Sequence, residues 1–289
     1  VNDALVVRAP ASSANLGAGF DVLGMALDLH LDVGIGDAPI GARSIDRHHP
    51  TARAFAAVDA ATAVLPPMWV RTSIPMGRGL GFSGAARVAG AALGAIVRAE
   101  DPGAALSGAR TAVLDVAVAQ EGHGDNAAAS VFGGVVAWVD GHTIPLRLGP
   151  QLASASVVGW IPELTTSTDR SRGILPDQVA LADAVRNLGR VAQFVLAIER
   201  DDPSLLVGAT DDRLHQAVRL PEVPGASEAL TAGVSAGAWC GWLSGSGPTV
   251  AFLVEASAVD AVMASLPASG HAKHLHIAPR GVHVLAGAD

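Results

Sequence analysis

Cysteine is nearly absent: Cys240 is the only one in 289 residues. That excludes an internal disulfide and a cysteine-rich zinc cluster. An excess of basic residues is also lacking. Nineteen Lys and Arg face 27 Asp and Glu, a net charge of −8, which argues against nucleic acid as the main partner but leaves room for a local basic pocket. Long hydrophobic runs are missing too. Val88–Val97, bounded by Arg87 and Arg98, is about half of the roughly twenty residues a membrane-spanning helix needs. Val1–Pro10 has no basic region followed by an apolar stretch, so no signal peptide is expected, and there is no low-complexity tract or internal repeat. The expectation is a reduced, cytoplasmic protein with no nucleic-acid or membrane partner. Half of the residues are hydrophobic and 16% charged, enough to bury a sizeable core.

Helices and strands are mixed along the whole chain. Leu27, Leu29, Leu31, Val33 and Ile35 alternate with Asp28, His30, Asp32 and Gly34, a half-buried strand, and Ala4–Arg8 predicts a shorter one before it. Strands are also expected at Trp69–Ile74, Val131–Val139, Ser154–Ile161, on the approach to Gly245, and at Val250–Val254, with two short ones before the C-terminus. Helices are expected at Thr51–Leu65, Ala85–Ala99, Ser107–Gln120, Asp177–Glu199, near Glu228 and at Ala256–Leu266. In the longest, Leu181, Val185, Leu188, Val191 and Val195 recur at spacings of three and four. The pattern indicates an α/β or α+β fold, with a boundary near Pro150 dividing residues 1–150 from 151–289.

Between strand Trp69–Ile74 and helix Ala85–Ala99 lies Arg78-Gly-Leu-Gly-Phe-Ser-Gly-Ala-Ala86. Glycines let a backbone approach a ligand closely, and the first turn of a helix offers unpaired N–H groups at a positive dipole end. Ser83 adds a hydroxyl suited to Mg²⁺. By itself the segment is equally compatible with a structural turn. Gly79-x-Gly81-x-x-Gly84 also fits the dinucleotide fingerprint, but it does not follow the first strand, Pro75 intervenes, and no acidic residue ends a second strand about twenty residues on. The pattern G-x-x-x-x-G-K-[ST] is absent, which excludes a P-loop.

Companion motifs make the segment specific. Pro75-Met-Gly-Arg-Gly-Leu-Gly-Phe-Ser-Gly-Ala-Ala86 resembles the phosphate-binding motif of the GHMP kinases. Pro10-Ala-Ser-Ser-Ala-Asn-Leu-Gly-Ala-Gly-Phe-Asp-Val-Leu-Gly24 resembles their first motif in its homoserine kinase form, and Leu243-Ser-Gly-Ser-Gly-Pro-Thr249 the third. His123-Gly-Asp-Asn-Ala-Ala-Ala129 with Phe132-Gly-Gly134, and Thr168-Asp-Arg-Ser-Arg-Gly-Ile-Leu-Pro176 with Asp212-Arg-Leu-His-Gln-Ala-Val-Arg219, are similar to stretches particular to homoserine kinases. The resemblance implies an α+β GHMP kinase fold, with a ribosomal-protein-S5-like N-terminal domain and a ferredoxin-like C-terminal domain. It also implies ATP with Mg²⁺, a homodimer, and phosphorylation of the side-chain hydroxyl of L-homoserine.

Carried over by position, the resemblance gives the phosphates to Pro75, Gly77, Arg78, Gly79, Leu80, Gly81, Phe82, Ser83, Gly84 and Ala85, with Gly245 and Gly247 from the third motif. Asn15 and Asp21 would contact the amino acid, Asp21 through its ammonium, while Arg172 and Arg219 engage the substrate as arginine forks suit a carboxylate. His123 and Asn126 would lie near the reacting hydroxyl. Asp125 is the nearest proton acceptor in sequence, although homoserine kinases are thought to need no strong general base. Ser83 and a carboxylate would hold Mg²⁺; Asp115, eight residues before His123, is preferred to Glu121, which is expected on a loop.

Three departures stand out: Phe82 replaces a serine, Asp115 replaces a glutamate, and Gly36–Thr51 lacks the family's segment near the adenine. The alternatives are a GHMP kinase for threonine, mevalonate or a sugar, and a non-catalytic sensor on the same fold. An oxidoreductase comes last. Of the remaining polar candidates, His48 and His49 read as solvated surface, and Cys240 as a small buried apolar residue.

Overall fold

Alternation along Leu27–Ile35 builds a strand as expected, but its polar face is far from solvated. The computed structural model of the protein describes residues 5–59 and 64–285. In β1 (Val6–Ala14) and β2 (Leu23–Ile35), Arg8 stands directly opposite Asp32, and Asp32 opposite Arg71 of the next strand. Arg8 Nε and Nη2 donate to the Asp32 carboxylate at 2.7 and 2.9 Å, and Arg71 Nη2 at 3.0 Å. Burial pushes that carboxyl up, but the two guanidinium groups outweigh it and hold its pKa below the ordinary range. A one-residue slip would break all three contacts, so the triad pins the register. Ala4, where the sequence starts β1, lies outside the described residues, and the strand runs past Arg8 to Ala14.

After β3 (Arg43–Ile45), α1 (Pro50–Val58) opens with Pro at its first turn and is capped by His49, whose Nδ1 accepts from Thr51 N at 3.2 Å. His49 is thus half-buried and employed, not solvated surface. The predicted continuation of α1 over residues 60–63 lies outside the described residues. β4 (Met68–Thr72) leads to α2 (Phe82–Ile96), which is buried along most of its length. Its small residues permit this: a Cβ on Gly90 would sit 2.0 Å from the Thr51 carbonyl oxygen of α1.

α3 (Pro102–Glu121) starts five residues earlier than expected, because Asp101 caps it (Oδ1 from Ala104 N, 2.9 Å) and Pro102 fits the first turn. It ends at Gly122, whose φ of 83° suits glycine. Glu121 is therefore the last helical residue and not part of a loop. α4 (Asp125–Phe132) runs into the expected Val131–Val139 strand, which begins only at Val135. β5 (Val135–Val139) and β6 (His142–Leu146) form a hairpin across Asp140-Gly141, both with positive φ. The Asp-Gly signal for it was present in the sequence.

After the short α5 (Pro150–Ala153) comes β7 (Ser156–Pro162), and then α6 (Thr168–Gly173), which the sequence does not announce. α7 (Leu181–Arg200) buries Asn187, Phe194, Ala197 and Ile198. The stripe read from its periodicity is only half engaged: Leu181, Val185 and Leu188 are 80%, 58% and 70% exposed, while Val191 and Val195 are half-buried and Val195 packs against the core. α8 (Gln216–Arg219), α9 (Ala226–Ser235), β8 (Cys240–Leu243), β9 (Val250–Val254), α10 (Val259–Ser265), β10 (Gly270–His276) and β11 (His283–Val284) complete the chain.

β1–β6 and β11 make one sheet; β11 returns across the chain to pair with β1. The other sheet, ordered β10-β7-β9-β8 and antiparallel throughout, has the β-α-β-β-α-β succession of ferredoxin-like folds. No helix of the described residues is long and apolar enough to cross a membrane. Cys240 is buried in β8, where desolvation pushes its thiol up to about 12. The thiolate is thus absent at pH 8, and a thiol reagent should label the native protein negligibly but react stoichiometrically once it is unfolded in denaturant. Rapid labelling of the native protein would contradict this packing.

Candidate active site

Gly81 ends the turn after β4 in the left-handed conformation (φ 70°) and precedes α2 with no capping side chain and no acidic residue in the first turn. The first N–H groups of this fifteen-residue helix are therefore left for another acceptor. Glycine is obligatory here. A Cβ on Gly81 would stand 2.1 Å from Ser12 Oγ, and one on Gly79 would stand 2.4 Å from the Ser244 carbonyl oxygen. The turn is wedged between β1 and the Ser244–Thr249 loop. That loop binds it directly: Ser244 Oγ donates to the Gly79 carbonyl at 2.6 Å, and Thr249 Oγ1 to that of Arg78 at 2.6 Å.

This turn, the loop after β1, the N-terminus of α4 and the end of α6 enclose one cavity of ≈ 130 Å³. All the expected site residues line it except three. Ala85 is fully buried and its N–H bonds the Gly81 carbonyl within the helix. Gly247 acts from behind, its carbonyl accepting from Thr166 Oγ1 at 2.5 Å. Asp115 is exposed on the outside of α3. Glu121, Phe20, Thr166, Thr168 and Ser246 join the wall. Phe20, Thr168 and Ser246 lie inside the quoted motifs and Glu121 is the second choice for the metal carboxylate; only Thr166 carries no distinguishing signal.

Asp125 is buried at the start of α4. Its Oδ1 accepts from Asn126 N and pairs with His123 Nδ1, both at 2.8 Å. Desolvation works against charge on His123, but the Asp125 carboxylate prevails and raises the imidazole above its usual value. Asn126 Oδ1 accepts from Ser12 Oγ at 2.9 Å, which leaves its amide N–H groups for a partner in the cavity.

Across the cavity, Arg172 grips Asp21 with both Nη atoms, at 3.0 and 2.6 Å, and that bond raises its pKa further. Arg219 is buried and has no carboxylate partner among the described residues. Its Nε and Nη1 donate to the Ser171 and Gly245 carbonyls at 3.0 and 3.5 Å. Burial, with repulsion from Arg172, pushes its guanidinium down to about 10. Both arginines flank the Phe20 ring, 5.6 and 5.3 Å from its centroid.

Two sets of residues could take a cation. Ligand atoms of Asp21, His123 and Asp125 lie within 4.8 Å of one another, but these groups already satisfy Arg172 and each other. Ser83 Oγ and the Glu121 carboxylate instead converge on the same Arg87 Nη1. A hydroxyl and a carboxylate that share one positive charge fit a hard divalent ion. A second, larger cavity of ≈ 740 Å³ adjoins the first across Pro75 and Phe82 and is walled by residues of the 41–49 segment. The His49 ring meets Phe82 edge-on there, with centroids 6.3 Å apart.

Residues 194–272 match the family described as GHMP kinases C terminal. The homoserine kinase of Moorella thermoacetica is 40% identical over 266 residues, covering 85% of this chain and 86% of that protein. The chain belongs to the homoserine kinase family. The homoserine kinase of Streptomyces avermitilis is 36% identical over 298 residues, covering 98% of this chain and 96% of that protein. Among crystal structures, the homoserine kinase of Cytophaga hutchinsonii has a TM-score of 0.80 at 23% identity, covering 99% of this chain and 98% of that one. Mevalonate kinase of Methanococcus jannaschii shares the fold at 0.71 and 11% identity, over 96% and 99% of the two chains. The chain is thus an α+β GHMP kinase with two sheets. The Phe82 ring stands between the two cavities and lines both.

Proposed function

We propose that the protein transfers the γ-phosphoryl group of ATP to the side-chain hydroxyl of L-homoserine. One observation carries this reading: beside the glycine turn, the carboxylate of Asp21 and the buried, carboxylate-free guanidinium of Arg219 face one small cavity. A buried cation without a partner favours an incoming anion. An α-amino acid brings both a carboxylate for Arg219 and an ammonium for Asp21, releasing Arg172 to share the carboxylate. A sugar or mevalonate has no ammonium to offer.

The first cavity is too small for a whole nucleoside triphosphate, since ligand pockets run to about 300–1,000 Å³. We therefore give the phosphates to the Gly77–Gly84 turn and the N-terminus of α2, and the nucleoside to the larger cavity beyond Phe82. Ser83 and Glu121, not Asp115, would hold Mg²⁺. Bound there, the ion would neutralise charge on the phosphate oxygens. Phosphoryl transfer needs alignment and charge stabilisation more than covalent help. Asn126 orients the hydroxyl through its free amide N–H groups. Asp125 Oδ1 already holds His123 and a backbone N–H, so we assign it to fixing that pair rather than to strong general base catalysis.

ADP release with Mg-ATP, measured over L-homoserine, L-threonine, L-serine, mevalonate and simple sugars, tests the proposal. Turnover should be highest on L-homoserine by at least about tenfold, the scale of one added polar contact. Preference for another alcohol would move the substrate. Nucleotide binding without turnover on any of them would favour a sensor.

A further inference from the structure

The loop after β1 is strained: Asn15, Leu16 and Gly17 have φ of 69°, 47° and 81°, and Asp21 has 57°. Non-glycine residues hold such values only where their surroundings over-determine them. The other half of the molecule does so. A Cβ on Gly17 would stand 2.3 Å from the Thr210 carbonyl oxygen. Asn187 Nδ2 donates to the Ala18 carbonyl at 3.2 Å and to Asp212 Oδ1 at 2.7 Å. Asp212 in turn accepts from His215 N and Gln216 N at 2.7 and 2.6 Å.

His215 sits at the centre. It is fully buried and stacked on Phe20, with centroids 5.2 Å apart. Its Nε2 is 2.9 Å from the Gly17 carbonyl oxygen and its Nδ1 is 3.4 Å from Arg219 Nη1. A carbonyl can only accept and a guanidinium can only donate. The neutral ring therefore carries its proton on Nε2 and presents a bare Nδ1 to Arg219, with burial disfavouring the charged form.

We propose that His215 is a positioning residue that ties the Asp21 loop to Arg219 and so sets the spacing between the ammonium and carboxylate contacts of the amino-acid substrate. This inference rests on the function proposed above. His215 touches neither phosphate nor reacting hydroxyl, so its loss acts on amino-acid affinity and not on the chemical step.

Two substitutions divide its bonds. In His215→Gln the amide nitrogen reaches Gly17 as Nε2 did, while the acceptor for Arg219 is lost. In His215→Asn the carbonyl oxygen replaces Nδ1, while the donor to Gly17 is lost. Both should raise KM for L-homoserine about tenfold, the scale of leaving one buried group without its hydrogen-bond partner, with kcat and KM for Mg-ATP within about twofold. Inhibition constants should separate the ends. His215→Gln should weaken 4-hydroxybutyrate, which keeps the carboxylate, and spare 3-amino-1-propanol, which keeps the ammonium; His215→Asn should do the reverse. Amide exchange at Asn15 and Asp21 should quicken in His215→Asn and stay unchanged in His215→Gln, a readout independent of turnover.

Equal effects of both variants on every ligand, or a fall in kcat with unchanged KM, would overturn the proposal. So would unaltered exchange together with unaltered KM. Should either variant fold poorly, Asn187→Ala, which frees the same loop at Ala18, must reproduce the His215→Asn pattern. A wild-type protein that neither binds nor phosphorylates L-homoserine defeats the functional reading, and the exchange data still judge the clamp.

Discussion

Asp21→Asn should lower kcat/KM for L-homoserine about 100-fold, or about 2.7 kcal/mol, while leaving KM for Mg-ATP nearly unchanged. Removing one partner of a charge pair costs roughly 2–5 kcal/mol in a complex, and each tenfold corresponds to about 1.4 kcal/mol. The lower part of that range applies because the Asp21 and Arg172 side chains are 31% and 36% exposed. The same exposure limits the effect on stability. A pair of this kind is worth under about 1 kcal/mol without ligand, so the melting temperature should move by less than about 4 °C. A loss confined to ATP affinity would mean that Asp21 does not meet the amino acid. A large fall in melting temperature would mean that the Asp21–Arg172 pair chiefly holds the two halves together.

Glu121→Gln should cost more, about 10³-fold in kcat/KM, whereas Asp115→Asn should be indistinguishable from wild type. A single well-placed group that stabilises transition-state charge is worth about 10²–10³-fold, and here the loss would extend to the metal itself. The direct measurement is Mn²⁺ binding in the presence of a non-hydrolysable ATP analogue, followed by electron paramagnetic resonance. Affinity should drop in Glu121→Gln and persist in Asp115→Asn; the opposite ranking would return the metal to Asp115. Arg87 offers a further check, since it bridges Ser83 and Glu121 and a divalent ion would have to displace it. Arg87→Met should therefore leave metal binding intact or strengthen it.

The choice between those two carboxylates marks the boundary of what could be read from the chain. Five motifs in family order named the fold, the glycine turn and nearly every residue on the cavity wall. They could do so because a phosphate-binding turn depends on local rules: left-handed glycines, and a helix start without a competing cap. Asp115 and Glu121 are six residues apart on one helix, about 240° around its axis. Only the way α3 lies against α2 decides which of them faces Ser83, and spacing along the sequence is silent on that. The end of α3 at Gly122 moved Glu121 from an expected loop to a helix terminus.

The stripe Leu181–Val185–Leu188 shows the reverse case. Its period is helical and α7 is a helix, yet packing buries Asn187, Phe194 and Ile198 and leaves these side chains outside. Periodicity reports that one face is apolar and not which face the rest of the fold covers. Asp21 and Arg172 are separated by 151 positions, and His215 and Gly17 by 198. Their types and motif neighbours were visible in the sequence. That they meet, and that His215 joins a strained loop to a buried arginine, follows only from folding the second sheet and its helices over the first. The sequence alone determined the family, the glycine turn and the charge types at the site; tertiary packing decided which charges meet, because burial and orientation belong to the assembled chain.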